Sequence, residues 1–334
     1  MKIVIDDKIP FIRETMTRIT ADAVYRRGAD ITADDVRDAD ALIVRTRTKC
    51  DERLLGGSRV RFIATATIGY DHLDTDYLRR AGIEWANCPG CNAASVGQYI
   101  RSTLLLLSRN HGLNLPQATL GVVGCGHVGS LVRLVGRELG MRVLVCDPPL
   151  GAPSFVGMDV IEREADVITF HVPLTANGPH ATSHLADAAF FSRLARRPFV
   201  VNTSRGEVVD NAALKVALAR GQIRQGVIDT WEHEPHIDRA LLDMLYIATP
   251  HIAGYSADGK ANADNMAIAA LCRFFGITNP GRIVPPSLPA DFTYTGDPLQ
   301  LYNPLDDSTR LKAHPQLFEE LRGNYPLRRE TWND

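Results

Sequence analysis

The run TLGVVGCGHVGS, residues 119–130, carries the clearest structural signal in the chain. An apolar stretch that suits a buried strand leads into G-x-G-x-x-G spacing, formed by Gly124, Gly126 and Gly129. Gly124 permits a tight turn, Gly126 lets the backbone approach a pyrophosphate, and Gly129 lets the following helix pack closely on the strand. The free N–H groups and the positive end of that helix would attract the anion. The run therefore predicts a dinucleotide-binding turn.

A carboxylate follows where such a cofactor needs one. Asp147 ends the next predicted strand, eighteen residues after Gly129, where it can accept hydrogen bonds from the adenosine ribose and repel a 2′-phosphate. A glycine-rich turn with a solvated aspartate is the alternative, and the joint occurrence of strand, helix and acid disfavours it. We predict NAD rather than NADP as the cofactor. Its predicted contacts in this region are Gly124, Gly126, His127, Val128, Gly129 and Asp147.

Short apolar runs alternate with helical stretches through most of the chain, which indicates parallel sheets built from β-α units. Three such runs precede residue 92, at Ile3–Ile5, Ala41–Val44 and Phe62–Thr65. Six strand candidates follow, at 119–123, 142–146, 167–170, 199–202, 226–229 and 246–248. We predict an α/β fold of two Rossmann-like, doubly wound domains, of which the substrate domain is discontinuous. The predicted boundaries are 1–93 for the first part of the substrate domain, 94–253 for the NAD-binding domain, 254–280 for a helix that returns to the substrate domain, and 281–334 for a short C-terminal dimerisation tail.

The composition disfavours several classes of protein. Lys and Arg number 37 against 39 Asp and Glu, so the net charge of -2 gives no bulk attraction to nucleic acid or to anionic membranes. The opening residues MKIVIDDKIP lack the apolar core of a signal peptide, and six scattered cysteines favour reduced thiols. We expect a soluble, cytoplasmic protein without nucleic-acid or membrane partners.

Two local patterns invite other chemistry. Cys88 and Cys91 have C-x-x-C spacing, but no thioredoxin-like context surrounds them, and a tight Pro-Gly turn into a helix is the preferred interpretation. His233 and His236 occur in HEPH, which cannot place two histidines one helical turn apart as H-E-x-x-H does. We predict neither a redox pair nor a metal site.

Three ionisable residues follow three successive predicted strands: Arg205, Glu234 and His251. The carboxyl ends of strands in an open α/β sheet line the ligand crevice, so we expect the three side chains to converge. A histidine suits the removal of a hydroxyl proton, a glutamate can bond its other ring nitrogen, and an arginine can bind a substrate carboxylate. Each residue alone would more often be structural. Together they predict oxidation of a secondary alcohol by hydride transfer.

A basic run, VRTRTK at 44–49, ends a strand of the first predicted domain. On an extended segment Arg45, Arg47 and Lys49 would point the same way and could bind one phosphate together. A solvated basic strand end is an equally good interpretation of the residues alone.

The segments NTSRGEVVDN (202–211), DTWEHEP (229–235) and PHIAGYSADGKA (250–261) resemble the D-isomer-specific 2-hydroxyacid dehydrogenase family. The resemblance covers essentially the whole chain and implies NAD as cofactor, a phosphorylated 2-hydroxy acid as substrate, and a homodimer. It implies the same catalytic set, with His251 as proton donor and acceptor. Further implied NAD contacts are Thr203, Asp229 and Gly254. Implied substrate contacts are Arg45, Thr46, Thr67, Ile68, Gly69 and Tyr255.

Two other functions stay open at this point. A dehydrogenase of another 2-hydroxy acid, such as 3-phosphoglycerate or glyoxylate, would share the fold and the catalytic residues. An NAD-sensing binding protein, similar to corepressors that use this fold for protein contacts, is disfavoured by the intact catalytic set.

Overall fold

The computed structural model describes residues 1–278 and 280–331. Eleven strands and thirteen α-helices lie in these ranges. The strands are β1 (Ile3–Asp6), β2 (Ala23–Arg26), β3 (Ala41–Val44), β4 (Phe62–Thr65), β5 (Glu84–Ala86), β6 (Thr119–Val123), β7 (Arg142–Cys146), β8 (Val167–Phe170), β9 (Phe199–Asn202), β10 (Gln225–Ile228) and β11 (Ile247–Ala248). The helices are α1 (Ile12–Thr17), α2 (Ala33–Val36), α3 (Glu52–Leu55), α4 (Thr75–Ala81), α5 (Ala93–His111), α6 (His127–Glu138), α7 (Met158–Glu164), α8 (Ala188–Arg193), α9 (Asn211–Ala219), α10 (Arg239–Met244), α11 (Ala257–Phe275), α12 (Pro304–Ala313) and α13 (Phe318–Gly323).

The chain divides into two compact units, of which the first comprises Met1–Asn92 and the described part of Ser256–Ala290. Its parallel sheet has the strand order β2-β1-β3-β4-β5. The three central strands are fully buried, which explains why they read as continuous apolar runs instead of alternating patterns. The edge strands β2 and β5 are only partly buried. Helix α11, capped by the Ser256 hydroxyl, packs on β4 within this unit.

The second unit comprises Ala93–Tyr255 and the described residues from Asp291 onward. Its parallel sheet has the order β11-β10-β9-β8-β6-β7, so the winding direction reverses between β6 and β8. Ligands of open α/β sheets bind at the carboxyl edge of such a reversal. Helices α8, α9 and α10 each begin with an aspartate whose carboxylate accepts a backbone N–H of the first turn. Two parallel-sheet domains were predicted, and this part of the prediction is confirmed.

The C-terminal segment, predicted as a dimerisation tail, contributes side chains to the core of the second unit. Tyr302, Leu311 and Phe318 are buried in the hydrophobic core of the second unit, and α12 packs against β11. The described part of the tail therefore completes the core of its own unit. Its part in dimerisation stays a prediction. Within the described ranges, no helix combines the length and the apolarity needed to cross a bilayer.

Candidate active site

The turn between β6 and α6, which we call the glycine turn (residues 124–129), is shaped by the absence of side chains. Gly124 has a φ of 88°, and a Cβ there would lie 2.6 Å from the His171 carbonyl oxygen. A Cβ on Gly129 would lie 1.9 Å from the Gly124 carbonyl oxygen. These two glycines let the loop after β8 and the start of α6 approach the turn.

Gly126 is different, because a Cβ on it would meet no atom within 4 Å. It precedes the first residue of α6, and no side chain caps the helix. His127 is exposed and Val128 is half-buried at this helix start. An open backbone with free helical N–H groups at a sheet reversal fits the pyrophosphate of a dinucleotide. The residues present thus suit NAD.

Asp147, directly after β7, is joined to the glycine turn. Its Oδ2 accepts a hydrogen bond from the Cys125 N–H at 2.7 Å, and its Oδ1 accepts one from the Leu150 N–H at 3.2 Å. A carboxylate can accept about four hydrogen bonds. The half-buried Asp147 therefore retains capacity for ribose hydroxyls at the place that the sequence predicts.

Three catalytic candidates follow β9, β10 and β11, which are neighbours in the sheet. The structure brings two of them into direct contact: Nδ1 of His251 lies 2.9 Å from Oε2 and 3.1 Å from Oε1 of Glu234. The side chains are 28% and 17% exposed, respectively. With Nδ1 bonded to a carboxylate, the neutral ring carries its proton there, and Nε2 is the free basic nitrogen.

Glu234 is held ionised by its surroundings. Burial alone would raise its pKa, but hydrogen bonds from His251 and from the Trp231 N–H, together with the charge of Arg322, hold that pKa below the ordinary value. An ionised Glu234 stabilises the imidazolium form of His251 after proton uptake.

The loop at 249–253, which we call the histidine turn, is fixed by buried polar groups. His251 adopts a φ of 57°, and its N–H donates to the carbonyl oxygens of Asp229 and Thr249 at 2.8 and 3.0 Å. The Asp229 carboxylate accepts hydrogen bonds from the Thr249 hydroxyl at 2.6 Å and from the N–H groups of Ile252 and Ala253 at 2.7 and 3.0 Å. A left-handed histidine costs free energy, so its persistence depends on this surrounding network.

Asp229, expected to contact NAD, lies within this network. The side chain is 1% exposed, and both carboxylate oxygens are bonded within the chain. In this structure the Asp229 carboxylate supports the histidine turn, and its contact with NAD stays a prediction. Gly254, also expected to contact NAD, is half-buried just after that turn.

Arg205 lies in the loop after β9, where Gly206 brings the backbone against the loop after β10. A Cβ on Gly206 would lie 2.0 Å from the Trp231 carbonyl oxygen. Asn202 donates to the Arg205 carbonyl oxygen at 2.8 Å, and the Arg205 guanidinium donates to the Ser204 carbonyl oxygen at 2.8 Å. Arg205 thus sits in a loop adjacent to that of Glu234. Thr203, before it, has its hydroxyl 3.4 Å from Nδ1 of His171.

In the first unit, the basic run at 44–49 is not extended. The prediction that its basic side chains bind one phosphate together required an extended backbone. The Thr48 N–H donates to the Arg45 carbonyl oxygen at 3.1 Å, so residues 45–48 form a turn and the alternation of side chains fails. Nη1 of Arg45 donates to the Lys8 carbonyl oxygen at 2.9 Å, whereas its Nε is buried without a hydrogen-bond partner. Lys49 lies 3.6 Å from the Asp51 carboxylate instead. Arg45 keeps the properties of an anion ligand.

The other predicted substrate contacts of this unit lie at two strand ends. Thr46 is exposed in the turn after β3. After β4, the Thr67 hydroxyl donates to the Gly69 carbonyl oxygen at 2.8 Å, and Asn87 donates to the Ile68 carbonyl oxygen at 2.7 Å. The backbone of 67–69 is therefore held in one conformation.

The two cysteines of the C-x-x-C pattern are buried. Burial raises the pKa of the Cys91 thiol to about 11 and raises that of Cys88 further. The Cys88 thiol donates to the carbonyl oxygens of Thr65 and Ala263. Neither thiol is a nucleophile at neutral pH. In the parts of the chain that the structure describes, no group of three His, Cys, Asp or Glu residues is arranged to bind a metal ion.

Two arginines near the catalytic pair were missed in the sequence. Nη1 of Arg322, on α13, lies 3.5 Å from Oε2 of Glu234. Buried Arg328 donates to the carbonyl oxygens of Ala253 and Tyr255, both at 2.7 Å, and its guanidinium lies 3.8 Å from the centre of the Tyr302 ring. No local motif marks either residue, because the oxygen atoms of Glu234, Ala253 and Tyr255 that they contact belong to residues some 70 to 90 positions earlier in the chain.

Comparison with known proteins places this geometry in a family. Residues 97–253 match the family model described as D-isomer specific 2-hydroxyacid dehydrogenase, NAD binding domain. The chain is 53% identical to the erythronate-4-phosphate dehydrogenase of Bacteroides thetaiotaomicron, over 99% of this chain and 97% of that protein. It is 42% identical to the erythronate-4-phosphate dehydrogenase of Porphyromonas gingivalis, over 99% and 94% of the two chains.

A solved structure agrees with these sequence relationships. The NAD+-bound 3-phosphoglycerate dehydrogenase of Entamoeba histolytica matches with a TM-score of 0.70 at 26% identity, over 83% of this chain and 95% of that one. The chain therefore belongs to the D-isomer-specific 2-hydroxyacid dehydrogenase family and is an NAD-dependent oxidoreductase.

Proposed function

We propose that the chain oxidises 4-phospho-D-erythronate to 3-hydroxy-2-oxo-4-phosphobutanoate with NAD, a reaction of pyridoxal 5′-phosphate biosynthesis. The observation that carries the chemistry is the contact of 2.9 Å between His251 and Glu234, in the unit that also holds the glycine turn. The substrate follows from the name shared by relatives that are 53% and 42% identical over nearly the full chain. We place the reaction in the cytoplasm.

Each catalytic residue has a defined part in this proposal. Nε2 of His251 removes the proton of the substrate hydroxyl, and Glu234 stabilises the resulting imidazolium through Nδ1. Arg205 binds the substrate carboxylate and polarises the oxygen at the reacting carbon. NAD, when bound, supplies the acceptor for the hydride that leaves that carbon. Tyr255, two residues after the histidine turn, is proposed as a further substrate contact.

We propose Arg45 as the ligand of the substrate phosphate, supported by its buried and unpartnered Nε. Thr46, Thr67, Ile68 and Gly69 are proposed to add contacts from the same unit. We also propose a homodimer that uses residues 281–334, which light scattering should reveal as a particle of twice the chain mass of 36.7 kDa.

A side-by-side assay tests the substrate. We expect kcat/KM for 4-phosphoerythronate to exceed that for 3-phosphoglycerate and for glycerate at equal NAD concentration. Faster turnover of 3-phosphoglycerate would favour the rival dehydrogenase. NAD binding without turnover of any 2-hydroxy acid would favour a sensing protein.

Replacement of Arg45 tests the phosphate site. Arg45→Ala should remove a charge-assisted bond worth about 1.5 to 3 kcal/mol, mainly by raising KM, because that contact is equal in ground and transition states. Oxidation of an unphosphorylated 2-hydroxy acid should change little. Lys49→Ala is the matched control, since Lys49 is paired with Asp51 in the same run. Equal losses for both substrates would assign Arg45 to folding and move the phosphate elsewhere.

A further inference from the structure

The guanidinium of Arg322, on α13, lies close to the catalytic pair Glu234 and His251 in the second unit. Nη1 of Arg322 is 3.5 Å from Oε2 of Glu234, the same oxygen that lies 2.9 Å from Nδ1 of His251. The Arg322 and Glu234 side chains are 20% and 17% exposed, so salt screens their interaction less than that of a surface pair. Arg322 also donates a hydrogen bond to the Tyr255 side chain.

Arg322 is poorly placed for stability alone. Its Nε is buried without a hydrogen-bond partner, which costs free energy because the lost hydration is not replaced. Its other carboxylate neighbour, Glu319, is 3.9 Å away and 41% exposed, so that pair adds little. A largely buried ion pair is weak evidence for stability, since desolvation offsets the attraction. A charge kept at this position therefore points to the chemistry of the pair beside it.

We propose that Arg322 is a positioning residue for the reaction: it holds the Glu234 carboxylate toward Nδ1 of His251, and its charge offsets part of the negative potential that Glu234 exerts on the imidazole. This inference rests on the proposed roles of Glu234 and His251. Arg322 acts through them and need not touch the substrate.

The charges around the pair set the sign of the effect. His251 is faced by the carboxylates of Asp229 and Glu234. Glu234 is faced by His251 and Arg322. Arg322 is faced by Tyr255, Glu319 and Asp229. With Arg322 present, part of the negative potential of Glu234 is cancelled at the imidazole. Without it, the full negative potential of Glu234 reaches the ring and the imidazolium becomes more favourable. Less neutral base is then present at a given pH.

The first test measures this pKa directly, without substrate. The full-length protein is labelled with ¹⁵N-histidine, His251 is assigned with His251→Gln, and its ring nitrogens are titrated by NMR. Arg322→Gln should raise the pKa of His251 by about one unit. Arg322→Lys should stay near the wild-type value, because the charge is kept. Arg310→Gln, which removes an exposed arginine of α12, is the matched control and should change nothing.

The second test uses the pH profile of kcat/KM for 4-phosphoerythronate. The acid limb, where His251 must lose its proton, should move to higher pH in Arg322→Gln by the amount seen in the titration, while the affinity for NAD is kept. An unchanged His251 pKa in a folded Arg322→Gln protein would overturn the inference. If that variant does not fold, Arg322→Met preserves the aliphatic stem, and failure of both neutral variants would assign Arg322 a structural role and also overturn it.

Failure of this inference and failure of the proposed function give different results. If the wild-type protein does not oxidise 4-phosphoerythronate, the proposed substrate falls, whereas a shifted His251 titration still supports the role of Arg322. If oxidation is efficient and no titration shifts, the function stands and the inference falls.

Discussion

The glycine turn and the histidine turn are both loops at the carboxyl edge of the same parallel sheet, but they are built in opposite ways. At residues 124–129 backbone segments approach closely because Gly124 and Gly129 have no side chains. Gly126 is the glycine of this turn that has open space around it. At 249–253 the backbone is held by buried polar side chains, with the Asp229 carboxylate bonded to three donors. The first turn leaves room for a ligand, whereas the second fixes a side chain.

This difference suits the two tasks. A pyrophosphate is bound by many weak backbone dipoles, so the protein needs close approach and little else. A general base must hold one nitrogen in one place, and small displacements reduce the rate strongly. The histidine turn accordingly keeps a non-glycine residue at a φ of 57°, which only a dense network can maintain.

The largest loss of folding stability is expected where the glycine turn is tightest. Gly129→Ala would put a Cβ 1.9 Å from the Gly124 carbonyl oxygen, and we expect a loss of about 3 kcal/mol or more, because backbone cannot move aside cheaply. Gly126→Ala is the matched control, since its Cβ meets open space. It should change stability by less than about 1 kcal/mol, and should weaken NAD binding. Denaturant unfolding and NAD titration measure both, and equal stability losses would contradict the distinction between the two glycines.

A slightly smaller loss of folding stability is expected for a substitution in the network that holds the histidine turn. Asp229→Ala leaves the Thr249 hydroxyl and the N–H groups of Ile252 and Ala253 without their acceptor, so we expect a loss of about 2 to 3 kcal/mol in unfolding experiments. Catalysis should fall as well, with NAD affinity less affected. Asp238→Ala, which removes a helix N-cap of the same unit, should cost about 1 kcal/mol. A variant at 229 with normal stability and normal kcat would show that the network is dispensable.

The smallest of these effects concerns cofactor choice. Asp147→Ala removes the proposed ribose acceptor and the charge that repels a 2′-phosphate, so NAD should bind less tightly and NADP should gain by comparison. A shift of about tenfold in the ratio of the two kcat/KM values corresponds to about 1.4 kcal/mol. Asp147 also accepts a hydrogen bond from the Cys125 N–H, so part of the loss of NAD affinity will come from a less rigid glycine turn. An unchanged ratio would remove Asp147 from the cofactor assignment.

The apolar strands and the loops after them could be predicted from the chain because their signals are local. All six strand candidates of the second unit begin within one residue of the observed start, including β6 before the glycine turn. Strands β2 and β5 were missed, since as partly buried edges they carry AVYR and EWA instead of apolar runs. The contact between Glu234 and His251 was expected from their residue types together with their positions after successive strands.

Other parts of the site depend on contacts that the sequence does not display. The segment from residue 281 was predicted only as a short dimerisation tail, but its Leu311 and Phe318 are buried in the core of the second unit. Arg322 reaches Glu234 from a helix of six residues, too short for a readable pattern. The prediction that Arg45, Arg47 and Lys49 point the same way required an extended backbone, but residues 45–48 form a turn. The first two positions are decided by long-range packing, whereas the third is decided by a local turn that the apolar and basic pattern does not reveal.

The most direct test of the central claim is the kinetic constant of His251→Ala in a protein that remains folded. General base catalysis commonly supplies 10²- to 10⁴-fold, so we predict that kcat for 4-phosphoerythronate falls by about 10² or more. NAD affinity should be nearly unchanged, because the glycine turn is formed by residues 124–129 and not by the histidine turn. A folded His251→Ala protein with near-normal kcat would contradict the assignment of proton transfer to His251.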